Sequence, residues 1–371
     1  MTRLSNEHSA INLSQGFPDF DGPPRVVEAA REALASGHNQ YARSMGHPLL
    51  VETIAAKVRS LYGLEYDAGS EVVVFSGATE GIASFLLGFL DPGDEVILFE
   101  PFYDSYPAVI AMAGAVPRYT TLRFPDFALD VAELESLFSD RTRLIVLNTP
   151  HNPTGKVFNV EELSAIARLA AGRGVVVLAD EVYEHLTYDG LRHVPIATLP
   201  GMRERTFTVS SAGKTFSLTG WKIGWGTGPV RLVQAAQAAH QFITFSTATP
   251  LQVAVAGALR EHDADYFDAL RREYTARRDF IVEALGGVGF QVAVPRGTYF
   301  VTADFSRLSR EDDRSFAVRL VKEHGVAAIP PSVFYKRRPE EGRSLLRFAF
   351  SKRMETLGAA ASRLRGLRPY A

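Results

Sequence analysis

The most informative absence in this 371-residue chain is cysteine. Without cysteine the chain can form no disulfide, no thiolate nucleophile and no cysteine-ligated zinc site. An excess of charge of one sign is missing too, since 40 basic residues face 42 acidic ones and the formal net charge is −2. This balance gives no electrostatic basis for binding nucleic acid or an anionic membrane, so neither is expected as a partner.

Long apolar stretches are also lacking. No run approaches the roughly 20 apolar residues that a membrane helix needs, and residues 1–9 are polar where a secretory signal is apolar. A soluble, cytoplasmic protein is therefore expected. The nine histidines show no close pairing at metal-ligand spacing, so no metal site is expected.

What the chain does contain is enough apolar material for a large core, with 46% hydrophobic residues. The length suits one large domain plus a smaller one. Short apolar, β-branched runs alternate with helical patterns, which predicts a mostly parallel sheet wrapped by helices. The predicted strands cover residues 71–75, 95–99, 144–147, 175–179 and 206–209.

The pattern changes after Pro229. Residues 231–241 and 252–285 have helical patterns, and short strand-like runs return between residues 290 and 350. This change predicts a second, smaller α+β domain. The predicted division is an N-terminal arm packed with the small domain, a large domain and a small domain, at residues 1–38, 39–265 and 266–371.

Polar segments follow four of the apolar runs at the point where each predicted strand ends: Ser76-Gly77, Asn148, Asp180 and Ser210-Ser211. Ligands of open parallel sheets bind outside the carboxyl ends of the strands. The sequence therefore predicts a ligand site at this edge of the sheet.

Familiar nucleotide motifs do not account for this site. Gly213-Lys214-Thr215 ends like a phosphate-binding P-loop, but Thr208 stands where that motif needs its first glycine. Gly226-Thr227-Gly228 is a weak match to a dinucleotide fingerprint, and no Gly-x-Ser-x-Gly elbow occurs.

Single residues are equally ambiguous when each is considered alone. Lys214 could be a solvated lysine, Asp180 a helix cap, Tyr183 a core aromatic and Arg347 an edge-strand residue. Together, the order of these residues and their neighbours fits a lysine that holds a carbonyl cofactor and an aspartate that holds a pyridinium nitrogen.

The segment 210–222, the Asn-Pro turn 148–155, the run Ala179-Asp180-Glu181-Val182-Tyr183 and the late Arg347 resemble one family. They are similar to the class I/II pyridoxal-phosphate-dependent aminotransferases of fold type I, most of all to the kynurenine/glutamine/methionine aminotransferase group. The likeness extends from Asn12 to Arg347. It implies an α/β fold with a mostly parallel, seven-stranded type of sheet and a smaller α+β domain.

The resemblance implies roles around the cofactor ring of pyridoxal 5'-phosphate. Lys214 matches the lysine that binds the cofactor as an imine and acts as general base. Asp180 matches the carboxylate that pairs with the pyridine nitrogen. Asn152 and Tyr183 match the pair that hydrogen-bonds the ring hydroxyl oxygen, and Tyr103 matches the stacking aromatic.

A second implied set holds the cofactor phosphate. It comprises the glycine turn and helix start at Gly77, Ala78 and Thr79, together with Ser211 and Lys222. Tyr41 matches a tyrosine that reaches the phosphate of a neighbouring subunit, which implies a homodimer with shared active sites.

Arg347 matches the arginine that grips the substrate α-carboxylate, with Gly16 and Asn152 assisting. The implied function moves the amino group of an L-amino acid to a 2-oxo acid by a ping-pong mechanism. Phe17, Tyr103 and Phe245 suggest an apolar, aromatic or thioether side chain, such as that of methionine, glutamine or kynurenine. No arginine can be assigned to a distal carboxylate.

Two alternatives remain open at this point. The same cofactor chemistry could drive β-elimination from cysteine S-conjugates or cystathionine. A non-catalytic descendant could bind the cofactor as a regulator, although the complete set of Lys214, Asp180 and Arg347 argues against it.

Overall fold

The strands form three separate sheets in the computed structural model, which describes residues 1–262 and 264–367. In chain order they are β1 (Ile11–Asn12), β2 (Val72–Ser76), β3 (Glu95–Glu100), β4 (Val116–Thr121), β5 (Thr142–Asn148), β6 (Val176–Asp180), β7 (Thr206–Ser211), β8 (Ile223–Thr227), β9 (Gln291–Ala293), β10 (Phe300–Asp304), β11 (Val326–Ala327) and β12 (Leu345–Ala349).

Helices connect most of these strands. They are α1 (Thr2–Glu7), α2 (Pro24–Ala35), α3 (Pro48–Tyr62), α4 (Ala78–Phe89), α5 (Ser105–Met112), α6 (Val131–Ser136), α7 (Val160–Gly172), α8 (Ala212–Thr215), α9 (Val230–Ile243), α10 (Thr249–Glu261), α11 (Ala264–Gly287), α12 (Asp313–His324) and α13 (Met354–Leu364).

The largest sheet has seven strands in the order β2-β8-β7-β6-β5-β3-β4. The neighbouring pairs from β7 to β4 are parallel, and β8 runs antiparallel to both β2 and β7. The predicted mostly parallel α/β sheet is therefore confirmed. Its parallel strands end at one edge, where the polar segments lie.

Both faces of this sheet are covered, which explains why its strands are continuous apolar runs. Successive residues of β3 show the alternation: Val96 and Leu98 pack against α4, α5 and α9 on one face, whereas Ile97 and Phe99 pack against α7 on the other. Every residue of β3 and β6 is buried.

A second core surrounds the three-stranded sheet β12-β10-β9 and packs it against α11, α12 and α13. The N-terminal strand β1 pairs with β11, while helix α2 packs against α10. Residues 182–188, which follow β6, contribute Val182, Tyr183, Leu186 and Tyr188 to this second core. The domain boundaries given above stay predictions.

The predicted single helix over residues 252–285 is wrong, because the segment forms two helices. Helix α10 ends at Glu261, and His262 adopts an extended backbone with ψ 110°. The imidazole Nδ1 of His262 lies 2.8 Å from the carbonyl oxygen of Ala258. This side-chain contact at the end of α10 replaces the continuation of the helix.

Two strands of the large sheet have no counterpart in the prediction. Strand β8 contains two glycines and β4 begins Val-Pro-Arg, and neither reads as an apolar β-branched run. Within residues 1–262 and 264–367, no helix combines the length and the apolar composition that membrane crossing requires.

Candidate active site

One pocket of about 260 Å³ opens at the carboxyl ends of the parallel strands. It lies where three cores meet, since Phe300, Ile82 and Ile223 line it and belong with three different clusters. Its lining includes most of the predicted site residues: Gly16, Gly77, Ala78, Thr79, Tyr103, Asn152, Asp180, Tyr183, Ser211, Lys214, Lys222 and Arg347.

Lys214 enters the pocket from the short helix α8, which follows directly after β7. Its ammonium lies 5.5 Å from the ring centre of Tyr299 and 5.9 Å from that of Tyr183. Aromatic faces attract an ammonium without accepting its protons in strong hydrogen bonds. The amine is thus held in place and remains available to a ligand.

Asp180 is the last residue of β6 and is almost fully buried. Burial raises the pKa of its carboxyl to about 6, although the Tyr106 hydroxyl and the Val182 amide, which both donate to it, act in the opposite direction. The O–O distance to Tyr106 is 2.5 Å. A buried carboxylate of this kind is a receptor for a cationic N–H group.

The turn after β5 connects Asp180 to the other side of the pocket. The Asn148 amide donates to the Asp180 carbonyl at 2.9 Å, and its own oxygen accepts from the Asn152 backbone at 2.7 Å. The Asn152 side chain in turn accepts from Arg347 Nη1 at 2.9 Å. These bonds set the distance between strand β6 and strand β12.

Arg347 lies in the middle of β12 and is buried. Besides Asn152, its guanidinium donates to the Ser14 carbonyl at 3.1 Å, while its Nε–H has no partner among the described residues. The guanidinium lies 4.1 Å from the ring centre of Phe300. Burial lowers the pKa of Arg347 to about 10, which leaves it cationic at neutral pH. A buried cation with an unused donor is suited to receive a carboxylate.

Tyr183 and Tyr299 meet edge to face, with ring centres 5.2 Å apart. The Tyr299 hydroxyl donates to the Gly16 carbonyl at 2.5 Å, which fixes the N-terminal segment beside the pocket. Burial raises the pKa of Tyr183 well above its ordinary value, so its hydroxyl stays protonated and can donate. A Cβ added at Gly16 would lie 2.4 Å from the Phe300 ring, so this approach requires glycine.

Gly77, Ala78 and Thr79, at the start of α4, line the pocket together with Lys222 and form the segment that we call the phosphate cradle. Gly77 has a φ of +80°, and a Cβ there would lie 3.1 Å from the Lys222 ammonium. The first backbone N–H groups of α4, at Ala78 and Thr79, have no partners within the helix. Free amides beside a lysine ammonium suit a dianionic phosphate.

Tyr41 is the one predicted site residue that does not line this pocket in the described chain. Its side chain is 84% exposed and contacts Phe245 edge to face at 5.5 Å. Phe242 and Ile243 are exposed beside that residue in the sequence. This placement is consistent with the prediction that Tyr41 acts on another subunit, a role that stays a prediction.

Two residues of the site were missed by sequence reasoning. Tyr106 is buried and bonded to Asp180, and Phe300 stacks on Arg347. Tyr106 follows Tyr103 by three residues, across the start of α5, so the repeat of a tyrosine at helical spacing was the available signal. Phe300 carries no such signal, because its contact with Arg347 depends on the pairing of β10 with β12.

The geometry matches the demands of pyridoxal 5'-phosphate. A phosphate cradle, a half-buried lysine amine and a buried carboxylate with an elevated pKa line a single pocket. A pyridinium N–H would place a cation in direct contact with the Asp180 carboxylate, whose hydrogen-bond donors among the described residues are the Tyr106 hydroxyl and the Val182 amide.

Comparisons with known proteins agree with this chemistry. The sequence model of the family "Aminotransferase class I and II" matches residues 8–364. The chain is 46% identical to a probable N-succinyldiaminopimelate aminotransferase of Mycobacterium tuberculosis, over 98% of this chain and 94% of the relative. It is 43% identical to the methionine aminotransferase of Escherichia coli, over 99% and 94%.

A mouse relative, kynurenine–oxoglutarate transaminase 3, is 42% identical over 97% of this chain and 85% of its own length. The solved structure of the N-succinyldiaminopimelate aminotransferase from Mycobacterium tuberculosis superposes with a TM-score of 0.95, covering 98% of this chain and 95% of that one at 46% identity. The resemblance inferred from the sequence motifs is confirmed, as is the fold that it implied.

Proposed function

This chain belongs to the class I and II aminotransferases, and on that premise we propose that it moves the amino group of an L-amino acid with an apolar, aromatic or thioether side chain to a 2-oxo acid. Transaminase activity and dependence on pyridoxal 5'-phosphate follow from the family. The observation that carries the proposal is the convergence of Lys214, Asp180 and Arg347 on one pocket.

The residues present would hold the cofactor in the following way. Lys214 would bind its carbonyl carbon covalently through Nζ, and Asp180 would pair with its ring nitrogen. Asn152 and Tyr183 would contact the ring hydroxyl oxygen, with Tyr103 against the ring face. Its phosphate would sit on the amides of Gly77, Ala78 and Thr79, with Ser211 and Lys222 alongside.

When bound, pyridoxal 5'-phosphate acts as an electron sink that makes the Cα–H bond of an attached amino acid acidic. Lys214, once its amine is free, would take the Cα proton as general base and return it on the product side. The position of its ammonium over the Tyr183 and Tyr299 rings supports this role, because none of the described carboxylates forms an ion pair with it.

Arg347 would receive the α-carboxylate through its Nε and the remaining guanidinium donors. Its existing bonds to Asn152 and Ser14 hold the guanidinium plane in one orientation. A planar fork in a fixed orientation favours bidentate binding of a carboxylate and so selects α-amino acids over simple amines.

The side-chain preference rests on what else lines the pocket. Among the described residues its cations are Lys214, Lys222 and Arg347, and each has an assigned role. Tyr103, Ile82 and Phe300 supply apolar surface. A distal carboxylate on the donor would thus lack a dedicated partner within one chain.

A second candidate substrate is N-succinyldiaminopimelate, because the Mycobacterium tuberculosis relative named for it shares 46% identity over nearly the whole chain. That substrate carries carboxylates beyond the one that Arg347 would bind. It would need additional cations at the mouth of the pocket, supplied by other parts of this chain or by a second subunit.

The proposed assembly is a homodimer with shared active sites. Tyr41 contacts Phe245, and both are exposed together with Phe242 and Ile243, so a second copy of the chain would cover these apolar side chains. Tyr41 would then contact the phosphate bound by that second copy.

The deciding experiment is spectroscopy of the first half-reaction across a panel of amino acids, followed by a panel of 2-oxo acids. Methionine, glutamine, kynurenine and aromatic amino acids should bleach the cofactor absorbance with the highest kcat/KM, and 2-oxo acids should restore it. A best kcat/KM with aspartate contradicts the side-chain preference, and one with N-succinyldiaminopimelate selects the second candidate. Release of pyruvate and ammonia without an oxo acid would identify a β-lyase instead.

A further inference from the structure

The segment that carries Tyr41 lies outside any helix or strand, yet several hydrogen bonds tie it to helices α9 and α10. Residues 36–47 connect α2 to α3 without regular structure. The Tyr41 side chain is nevertheless 84% exposed and meets the rest of the chain through the edge contact with Phe245. Most of the hydrogen bonds that hold this segment against α9 and α10 are made by its backbone.

Thr249, the first residue of α10, bonds to the backbone on both sides of Tyr41. Its hydroxyl donates to the carbonyl of Gln40 at 2.7 Å and accepts from the amide of Ala42 at 3.0 Å. The Thr249 side chain is buried, and its bond to the Ala42 amide is shielded from water, whereas its bond to the Gln40 carbonyl is partly buried. One hydroxyl therefore fixes the peptide units that flank Tyr41.

Two further side chains anchor the segment beyond Ala42. His240 is fully buried, with Nε2 3.1 Å from the Ser44 carbonyl and Nδ1 2.9 Å from the Glu80 carboxylate. Gln252 accepts from the His47 amide at 2.7 Å. Because Glu80 also accepts from the Ser76 amide, the same chain of bonds reaches the turn before the phosphate cradle.

These hydrogen bonds fix the backbone around Tyr41, whereas the Tyr41 ring stays exposed and outside the core of its own chain. Ordering a loop costs conformational entropy, and an exposed aromatic ring returns little of that cost within a single chain. The cost is recovered if the ordered residue binds something outside the chain, since pre-organisation raises affinity.

We propose that Thr249 is a positioning residue, which orients Tyr41 so that its hydroxyl meets the cofactor phosphate bound by a second copy of the chain. The inference rests on the dimer proposed above. It adds Thr249 as the residue that holds Tyr41 ready for its contact with the phosphate before the cofactor binds. Thr249 itself touches neither cofactor nor substrate in this arrangement.

The test compares Thr249→Val with Thr249→Ser in the cofactor-free dimer. Valine keeps the shape and removes both hydrogen bonds, whereas serine keeps the hydroxyl. Equilibrium affinity for pyridoxal 5'-phosphate should fall about five- to tenfold in the valine variant, the size of one lost hydrogen bond between the Tyr41 hydroxyl and the phosphate, since Thr249 acts only through that contact. The serine variant should bind within about twofold of the wild type.

Pyridoxal, which lacks the phosphate, provides the second readout. Its affinity should be the same for the valine variant and the wild type, because the effect is transmitted only to the phosphate contact. Thr53→Val is the matched control, since the Thr53 side chain is buried and its hydroxyl bonds, among the described residues, to the Leu49 carbonyl within helix α3. That control should leave both affinities unchanged.

A double-mutant cycle with Tyr41→Phe tests separately the contact of Tyr41 with the phosphate and the positioning role of Thr249. If Tyr41→Phe leaves the affinity for pyridoxal 5'-phosphate unchanged, the assignment of Tyr41 in the proposed dimer fails. If Tyr41→Phe weakens binding but Thr249→Val does not, the positioning role of Thr249 alone is overturned. The positioning role of Thr249 is also contradicted if the affinity losses of the two single variants add in the double variant, if Thr249→Val weakens pyridoxal binding equally, or if Thr249→Val no longer dimerises. It is supported if Thr249→Val causes no further loss of affinity in the Tyr41→Phe background.

Discussion

Replacing Asp180 by asparagine should stabilise the cofactor-free protein at neutral and alkaline pH while weakening its hold on the cofactor. The Asp180 carboxyl is buried at the end of β6, and burial raises its pKa from 3.8 to about 6. Ionised Asp180 therefore lowers the free energy of unfolding of the cofactor-free protein. Asparagine has a similar shape and carries no charge.

The sign and size of the stability difference between the wild type and Asp180→Asn follow from proton linkage. A raised pKa means that the folded state binds the proton more tightly than the unfolded state between about pH 4 and pH 6, so stability falls as pH rises through that window. The rise of the pKa from 3.8 to about 6 corresponds to about 3 kcal/mol at pH 8, at about 1.4 kcal/mol per pH unit, and to about half of that at pH 5. An asparagine at this position would carry none of this cost.

The assay is urea unfolding of cofactor-free wild type and Asp180→Asn protein at pH 5 and pH 8. The variant should be more stable at both values, with the larger difference at pH 8. Asp312→Asn is the control of opposite sign, because the backbone amide of Ser315 lowers the pKa of the Asp312 carboxyl. That variant should lose stability above pH 4 and not below it.

Two results would refute the reasoning. One is a stability difference between Asp180→Asn and wild type that does not change between pH 5 and pH 8. The other is a gain in stability without any loss of affinity for pyridoxal 5'-phosphate, since the charge is then a structural burden with no role at the cofactor ring.

The remaining predictions concern the surroundings of the same pocket. Tyr106→Phe removes a hydroxyl that lowers the pKa of Asp180, so the pH-dependent stability loss should continue above pH 6 in the same unfolding assay, and a loss that still ends near pH 6 speaks against this bond. Arg347→Lys should lower kcat/KM for amino acids by about 10- to 100-fold through loss of the bidentate fork, and an unchanged kcat/KM places the carboxylate elsewhere. Burial alone would raise the pKa of Glu184, but Lys57 and the hydroxyls of Tyr62 and Ser210 hold it well below the ordinary value. Glu184→Ala should therefore cost about 3–5 kcal/mol near pH 7 by leaving the buried Lys57 without its carboxylate, with the penalty shrinking as pH falls below about 4.5. Glu184→Gln removes the same charge and should show most of this loss, so a glutamine variant as stable as the wild type refutes a role for the charge.

The sequence predicts best those elements whose burial is uniform. Strands β3 and β6 are buried at every residue, and their apolar runs mark them within a residue or two. Strand β8 escaped prediction because Gly224 and Gly226 pack against the backbone of Gly77 and the ring of Phe207, where a side chain does not fit. Close backbone approach leaves no hydrophobic pattern to detect.

The residues of the site also divide into those that a local sequence motif predicts and those that only the tertiary structure brings together. Lys214, Asp180 and Arg347 lie at ends or centres of elements where local sequence motifs mark them, and the structure brings all three to one pocket. The bond from Tyr106 to Asp180 spans 74 residues, and the Thr249 hydroxyl meets Gln40 across 209 residues. Contacts of this kind depend on how helices pack over the sheet, which no local pattern encodes. The break at His262 was missed for a related reason, because no proline or glycine interrupts the helical pattern there.

The central claim is that the Lys214 amine carries the cofactor. Borohydride reduction of the cofactor-loaded protein, followed by proteolysis and mass spectrometry, tests it directly. The account predicts a single pyridoxyl phosphate adduct on the peptide that contains Lys214, and none in Lys214→Ala protein. An adduct on another lysine, or no adduct on a protein that nevertheless transaminates, would contradict the account.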